Sequence, residues 1–192
     1  IIDDKGKETG SSQYFHDLTE RKHMHPVVRL HFIDNGVIFL RQRKSHDNTD
    51  ASLWDTPVSR HVRLGESVEQ SLRYKSKQYY NIEPKKFFFL TNYKLENKSE
   101  YQFVYLFVLC KIDGIELNKD KVQATKWWTV NQIEDNLNTG IFTERFIKEF
   151  ELLKRSGLLE HESCECECAL KSMIKSRLID GNTGRGAQNS AC

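Results

Sequence analysis

The densest group of charged residues that could do chemistry lies between Pro57 and Tyr80. Five residues of this segment are basic and two are acidic, which gives a net charge of +3 with histidine neutral. The basic residues are Arg60, Arg63, Arg73, Lys75 and Lys77, and the acidic residues are Glu66 and Glu69. Fixed guanidinium and ammonium groups bind phosphate directly, so one hypothesis is that Arg60, Arg63 and Lys75 hold an anionic ligand. The alternative is a helix that is kept for packing and whose surface charges have drifted.

Three cysteines near the C-terminus, Cys164, Cys166 and Cys168, alternate with glutamate. Their spacing differs from the two to four residues that separate cysteine pairs in zinc sites, which favours an exposed, oxidisable tail over a metal site. Cys110 lies in an apolar stretch typical of a core strand. Because the five cysteines form no spaced disulfide framework, we expect a reducing, cytoplasmic setting.

A hairpin and a helix are predicted to flank the basic segment. Residues 26–33 alternate as a strand does, and Asn35-Gly36 favours a tight turn into a second strand at 37–40. Ser67 is a predicted N-cap, and the helix that follows should end near Asn81. The predicted apolar stripe of this helix consists of Val68, Leu72 and Tyr79.

The second half of the chain interleaves further strands and helices. Residues 87–95, 101–112 and 126–128 favour strands, and Thr129 is predicted to cap a short helix. Thr143 opens an amphipathic helix that should end at Gly157. Its apolar face is predicted to carry Phe146, Ile147, Phe150 and Leu153. This order predicts an α/β domain over residues 1–159, with a mixed sheet between helices, and a polar tail over 160–192.

Composition limits the choice of partners. The 192 residues carry a net charge of only +2, so we expect no nucleic-acid partner. No apolar run approaches the roughly 18 residues of a membrane span, so we expect no membrane partner either. The chain begins with Ile1 rather than Met, which leaves room for an additional domain before it.

The run from Leu53 to Ser67, LWDTPVSRHVRLGES, resembles the entry to a Nudix box. The resemblance extends in weaker form from about Ile1 to Leu159, and the C-terminal pieces around Trp128-Thr129-Val130 and after Phe142 are similar to a bacterial Nudix subgroup related to isopentenyl-diphosphate isomerase. It implies a Nudix-type α/β/α sandwich with a mixed β-sheet between helices.

The family pattern is Gly, five residues, Glu, seven residues, then Arg-Glu-apolar-any-Glu-Glu-any-Gly-apolar. Glu66 matches it, whereas the other signature positions are replaced. The replacements are Arg60 for the first Gly, Tyr74-Lys75 for Arg-Glu, Gln78-Tyr79 for Glu-Glu and Asn81 for the last Gly. In the family, glutamates of the box helix hold Mg²⁺ or Mn²⁺, and hard cations need several oxygen ligands. The resemblance therefore implies a Nudix box that has lost its acidic metal ligands.

From these replacements we expect a Nudix-fold protein without Mg²⁺-dependent pyrophosphohydrolase activity, which binds a phosphate-containing metabolite. The alternative is a divergent hydrolase of a nucleoside diphosphate linked to another moiety. Such an enzyme would use Mg²⁺ or Mn²⁺, with Glu66 and Glu100 as its surviving catalytic acids.

The isomerase branch of the superfamily uses a different metal set of histidines and glutamates. His25, His61 and Glu100 match members of that set, while Gln102 stands where a second glutamate would be. Arg43 resembles a diphosphate-contacting arginine of that branch. Its catalytic cysteine is replaced here by Ser59, a far weaker acid. The resemblance thus implies a third hypothesis, an isomerase-like remnant with a metal site at His25, His61 and Glu100.

Overall fold

The computed structural model describes residues 1–10, 23–96, 101–110, 112 and 114–160. Within these residues the strands are β1 (His25–Asp34), β2 (Val37–Gln42), β3 (Trp54–Asp55), β4 (Val58–His61), β5 (Phe88–Glu96), β6 (Tyr101–Cys110) and β7 (Ala124–Thr129). The helices are α1 (Val68–Tyr80), α2 (Val130–Glu134) and α3 (Glu144–Arg155), followed by a 3₁₀ turn at Leu158–Glu160. Glu100 and the three tail cysteines lie outside the described residues.

The predicted hairpin joins β1 to β2. Asn35 and Gly36 have φ angles of 46° and 73°, the left-handed conformation that a two-residue turn of this type requires. The strands pair antiparallel beside the turn, with Ile33 opposite Ile38. The sequence prediction at this point is confirmed.

Beyond the hairpin turn, β1 and β2 each pair with a different short strand. β3 pairs with β2 through Arg41 and Asp55, and β4 pairs with β1 through Val28 and Arg60. On its other edge β1 runs parallel to β6, which pairs antiparallel with β5, while β7 pairs antiparallel with β2. The sheet is therefore mixed, as predicted.

The two faces of this sheet are covered by different helices. Val28, Leu30 and Phe32 of β1 pack in one core with Leu72 and Tyr80 of α1. The alternate residue Ile33 packs in a second core, whose helical members are Phe146, Phe150 and Leu153 of α3. Because successive side chains of a strand point to opposite faces, this division follows from the pleat. The predicted α/β/α sandwich is confirmed.

Helix caps match the sequence prediction more closely than buried faces do. Ser67, Thr129 and Thr143 each accept a hydrogen bond from a backbone N–H in the first turn of their helix. In α1, however, the buried tyrosine is Tyr80 rather than the predicted Tyr79. Leu72 and Tyr80 are eight residues apart, close to two full turns, so they share a face that Tyr79 only borders. None of the helices in the described ranges is long and apolar enough to cross a bilayer.

Candidate functional site

The turn of residues 62–67, between β4 and α1, is the centre of the candidate site. Gly65 has a φ of 75°, a left-handed conformation that glycine adopts at little cost. Ser67 then caps α1: its hydroxyl accepts from the N–H of Gln70, whose side-chain oxygen accepts from the N–H of Ser67. This reciprocal cap fixes the direction of the first helical turn and the position of the adjacent Glu66.

An open cleft of about 580 Å³ lies on one side of this turn. Four residues predicted from the sequence line it together, namely His25, His61, Arg63 and Glu66. Its other walls come from the N-terminal segment of residues 1–10, the start of β1 and Tyr105 of β6. We call it the first cleft. The fold thus brings together half of the residues that the sequence had suggested as separate ligand and metal sites.

His25 and His61 form a ring pair in the first cleft. Their ring centroids are 4.7 Å apart with an angle of 30° between the planes. Desolvation, and then the proximity of His25 and Arg145, lowers the pKa of His61 to about 4, so its ring is neutral at neutral pH. Within the described part of the chain, no group of three or more His, Cys, Asp or Glu side chains is arranged to hold a metal ion. Because Glu100 lies outside that part, the predicted set of His25, His61 and Glu100 stays a prediction.

The carboxylate of Glu66, which the resemblance matches to a glutamate of the box pattern, is surrounded by hydrogen-bond donors. Arg60 Nη2 lies 3.0 Å from Glu66 Oε1, and Ser71 Oγ donates to Oε2 at 2.8 Å. The backbone N–H of Arg63 also donates to Oε2, at 3.3 Å. The guanidinium of Arg60 lies over the ring of Tyr74, 4.1 Å from its centroid. The negative charge of Glu66 is thus offset by the guanidinium of Arg60.

Lys75 and Tyr79 occupy two of the helix positions at which the resemblance implies metal-binding glutamates. Lys75 Nζ donates to Gln78 Oε1 at 3.2 Å and lies 4.0 Å from the centroid of the Tyr79 ring. The guanidinium of Arg41 faces the same ring at 5.4 Å. Contacts of this kind between a cation and an aromatic face are attractive, but they add no ligand for a metal. The remaining acid of α1 is Glu69, an exposed residue in its first turn.

A second, shallower cleft of about 440 Å³ lies on the other side of the same turn. It is lined by Arg63, Leu64, Gly65, Glu66, Gln70 and Tyr74. Leu64 and Tyr74 expose 73% and 50% of their surface. We call it the second cleft. Arg63 and Glu66 line both clefts.

Arg43 is not among the residues that line either cleft. Its guanidinium contacts Asp47 at 3.4 Å and Asp55 at 3.5 Å. The structure therefore places this predicted ligand-binding arginine in an ion-pair cluster, and a diphosphate contact for it stays a prediction.

Sequence reasoning missed a buried ionic cluster between the sheet and α3. Arg29 of β1 contacts Asp55 and Glu149, each at 2.6 Å, and all three side chains are at most 1% exposed. Glu149 of α3 also accepts from His31, Thr56 and Tyr93 at 2.7, 2.6 and 2.5 Å. The signal was present in the sequence, because Arg29 and His31 interrupt an apolar strand and Glu149 lies on the apolar face of α3.

Both carboxylates of this cluster are held in the ionised form. Burial alone would raise the pKa of Asp55, but Arg29, Arg41, Arg145 and Arg43 hold it well below its usual range. Burial opposes ionisation of Glu149 as well, and Arg29 and the hydrogen bond from His31 lower its pKa. Buried charges persist only when paired in this way. The cluster fixes the β3–β4 segment, which leads directly into the turn at residues 62–67.

No family model matches this sequence, and no curated protein matches it. Several solved structures, however, are similar to this chain. The chain is similar to DR0079 from Deinococcus radiodurans at 16% identity and a TM-score of 0.62, over 81% of this chain and 96% of that one. It is similar to a MutT NUDIX hydrolase from Burkholderia pseudomallei at 15% identity and a TM-score of 0.58, over 68% of this chain and 98% of that one. It also resembles the NUDIX domain of Shewanella oneidensis NrtR complexed with ADP ribose, at 15% identity and a TM-score of 0.55, over 69% and 88% of the two chains. The chain has the Nudix fold.

Proposed function

We propose that this chain uses the Nudix fold to bind a phosphate-containing metabolite directly, through fixed positive charge, and does not hydrolyse it with Mg²⁺. The observation that carries the proposal is the pairing of Glu66 with Arg60 at 3.0 Å. The residue that would begin a metal site is thereby neutralised by an arginine. The positions that would complete such a site hold Lys75, Gln78 and Tyr79.

The charge around the clefts supports an anionic ligand. Arg63 lines both clefts, and its guanidinium has no hydrogen-bond or ion-pair partner among the described residues. The N-terminal end of α1, which adds a partial positive charge, lies at the same place because Ser67 and Val68 line the first cleft. With Glu66 paired, Arg63 gives the turn of residues 62–67 a net positive charge, and Glu8 adds one carboxylate to the lining of the first cleft. A net positive charge attracts phosphate and repels divalent cations.

The size of the first cleft fits a small metabolite. Its volume of about 580 Å³ lies within the roughly 300–1,000 Å³ of small-molecule sites. The NrtR domain of the same fold was solved with ADP ribose, which makes that compound a reasonable first probe. The predicted cofactors, Mg²⁺ or Mn²⁺, belong to the competing hydrolase hypothesis.

The test is calorimetry of the full chain with AMP, ADP-ribose and inorganic pyrophosphate in EDTA. We expect binding without metal, and a loss of affinity of roughly tenfold in Arg63→Gln, since a charge-assisted hydrogen bond is worth about 1.5–3 kcal/mol. Lys77→Gln is the matched control, because Lys77 is paired with Glu83 and lines neither cleft. Absence of binding to all three compounds would contradict the proposal.

The divergent-hydrolase hypothesis is decided by a second assay on the same samples. Release of AMP from ADP-ribose is followed with Mg²⁺ or Mn²⁺ present, and turnover at rates of about 1 s⁻¹ or more would establish an enzyme. The isomerase-like hypothesis has one specific observation in its favour, the His25–His61 pair at 4.7 Å. Zinc or manganese bound to the purified protein would support it, and elemental analysis measures this.

A further inference from the structure

Arg60 has a buried guanidinium with one nitrogen left unsatisfied. The side chain is only 9% exposed, and its Nη1 has no hydrogen-bond partner among the described residues. A buried N–H of a charged group without an acceptor is costly and uncommon in folded proteins. Such a group indicates that a further acceptor belongs beside Arg60.

The rest of the guanidinium is fixed from two sides. Nη2 is held by Glu66 at 3.0 Å, and the plane lies over Tyr74 at 4.1 Å. Glu66 is itself held by Ser71 Oγ and by the backbone N–H of Arg63. An arginine oriented in this way loses little conformational freedom when an anion binds to it.

Arg60 does not itself line the second cleft, but it contacts two residues that do. Its two partners, Glu66 and Tyr74, both form walls of the second cleft, and Arg63 forms a third wall. Tyr74 is half exposed, so its ring can rotate on the fast timescale of surface side chains and uncover the guanidinium against which it lies. With Arg63 included, the two arginines outweigh the single charge of Glu66.

We propose that Arg60 is the anchor of a metal-independent phosphate site in the second cleft, with Glu66 as its positioning residue and Tyr74 as the movable ring that covers it. The ligand group is a phosphate or diphosphate, whose oxygens match the paired N–H groups of a guanidinium. This inference rests on the proposed function and assigns the phosphate group of its ligand to the second cleft, which shares Arg63 and Glu66 with the first cleft. It also gives Glu66 a role different from metal binding or catalysis.

The experiment is calorimetric titration of the full chain with inorganic pyrophosphate in EDTA. We expect Arg60→Ala to weaken binding roughly tenfold or more, because a charge-assisted bond to phosphate is lost. Arg60→Lys should recover only part of the affinity, since an ammonium group cannot form the paired contact. Tyr74→Phe should bind as the wild type does, because the ring that lies over Arg60 is kept. Added Mg²⁺ should not tighten binding.

The controls separate folding from ligand contact. Lys77→Ala removes one positive charge from the same helix at a side chain that is 53% exposed, and it should leave the affinity unchanged. Thermal unfolding shows whether Arg60→Ala still folds. If it does not, NMR of the arginine side chains in the wild type supplies the answer, through a shift of the Arg60 guanidinium signals on adding pyrophosphate.

Three results are decisive. Loss of affinity in Arg60→Ala with an unchanged Lys77→Ala, or a shift of the Arg60 signals, supports the assignment. Equal affinities of the two variants, or an unmoved Arg60 signal while pyrophosphate binds, overturn it and leave the proposed function standing. If the wild type binds no phosphate compound, the proposed function fails and this inference fails with it.

Discussion

Glu149 is the residue whose removal should damage the fold most. Its carboxylate is fully buried and accepts from Arg29, His31, Thr56 and Tyr93. Deleting one partner of a buried ion pair typically costs about 3–5 kcal/mol. Here it leaves the histidine and hydroxyl donors of Glu149 without their acceptor, while Arg29 keeps Asp55. We therefore expect Glu149→Ala to lower the free energy of unfolding by about that amount, measured by urea denaturation.

The matched control for this prediction is Glu151→Ala on the same helix. Glu151 is a partly exposed residue outside the buried cluster, so its replacement should stay within about 0.5 kcal/mol. Equal effects of the two substitutions would show that the cluster contributes little to stability.

The same carboxylates determine how the domain responds to acid. The pKa values of Asp55 and Glu149 are lower in the folded protein than in the unfolded chain. The unfolded state therefore takes up protons first, and the stability that these groups contribute above about pH 4 is lost as the pH falls further. Each group adds up to about 1.4 kcal/mol per pH unit to this slope.

Unfolding in urea between pH 2.5 and 7 measures the effect. Glu149→Gln should show a shallower dependence on pH below 4 than the wild type. His61, whose pKa is lowered to about 4, adds a decline between its unfolded value of about 6.5 and pH 4, so the comparison is confined to lower pH. Identical slopes below pH 4 would refute the role assigned to Glu149.

For individual residues, the sequence predicted which side chains belong to the candidate site better than it predicted which side chains contact one another. His25, His61, Arg63 and Glu66 were each proposed as site residues, and the structure places all four around one cleft. That Arg60 pairs with Glu66 and lies on Tyr74 could not be predicted, because the three residues meet only once β4, the turn and α1 are positioned. The Arg29–Glu149 pair spans 120 positions of sequence and depends on the whole fold.

Among the elements, the β1–β2 hairpin has the most demanding local geometry. Gly36 has a φ of 73°, and a Cβ added there would lie 2.9 Å from the carbonyl oxygen of Leu159. Gly140 has a φ of 75° with open space around it. Alanine at either position bears a backbone strain of roughly 1–2 kcal/mol, and Gly36→Ala bears the clash in addition.

We expect Gly36→Ala to lower the free energy of unfolding by at least about 1 kcal/mol more than Gly140→Ala, given the usual cost of overpacking. Chemical denaturation of the two variants makes the comparison. If both variants lost the same free energy of unfolding, the backbone at Leu159 would have moved away from the added Cβ at no cost. The 3₁₀ turn would then not be held firmly against the hairpin.

The turns and helix starts that are determined by nearby residues were predicted correctly. Asn35-Gly36, Ser67 and Thr143 act through neighbouring residues, so their turn and caps follow from short stretches of sequence. The short pairings of β3 and β4 were not predicted, because they depend on the separation of β1 from β2 beyond the hairpin. The prediction that Tyr79 is buried in α1 was wrong for a similar reason, because packing against the sheet decides that Tyr80 is the buried residue.

For the whole molecule, fold and chemistry have separate physical requirements. The α/β/α sandwich depends on apolar faces and on the buried Arg29–Asp55–Glu149 cluster. Of the three α1 positions that the resemblance assigns to metal-binding glutamates, Lys75 and Gln78 belong to neither core, whereas Tyr79 packs against one of them. Lys75 and Gln78 are partly exposed, so substitutions there cost little stability. The fold itself therefore does not require carboxylates at Lys75 and Gln78.

This separation predicts that metal binding can be restored without rebuilding the fold. The substitutions are Arg60→Gly, Tyr74→Arg, Lys75→Glu, Gln78→Glu and Tyr79→Glu, which free Glu66 and return carboxylates to one face of α1. Carboxylates at i and i+3 or i+4 lie together on a helix and supply the oxygen ligands that hard cations need. We expect this variant to be stabilised by Mn²⁺, by about 1.4 kcal/mol at ten times the dissociation constant.

Thermal unfolding with and without Mn²⁺ measures this gain. The matched control carries Arg60→Gly, Tyr74→Arg, Lys75→Gln and Tyr79→Gln, with Gln78 retained, so that amides stand where the carboxylates would be. The wild type and this control should show no metal-dependent shift, because an amide oxygen lacks the charge that compensates for dehydrating the ion. A shift of the wild type equal to that of the acidic variant would mean that Glu66, despite its contact with Arg60, still belongs to a working metal site.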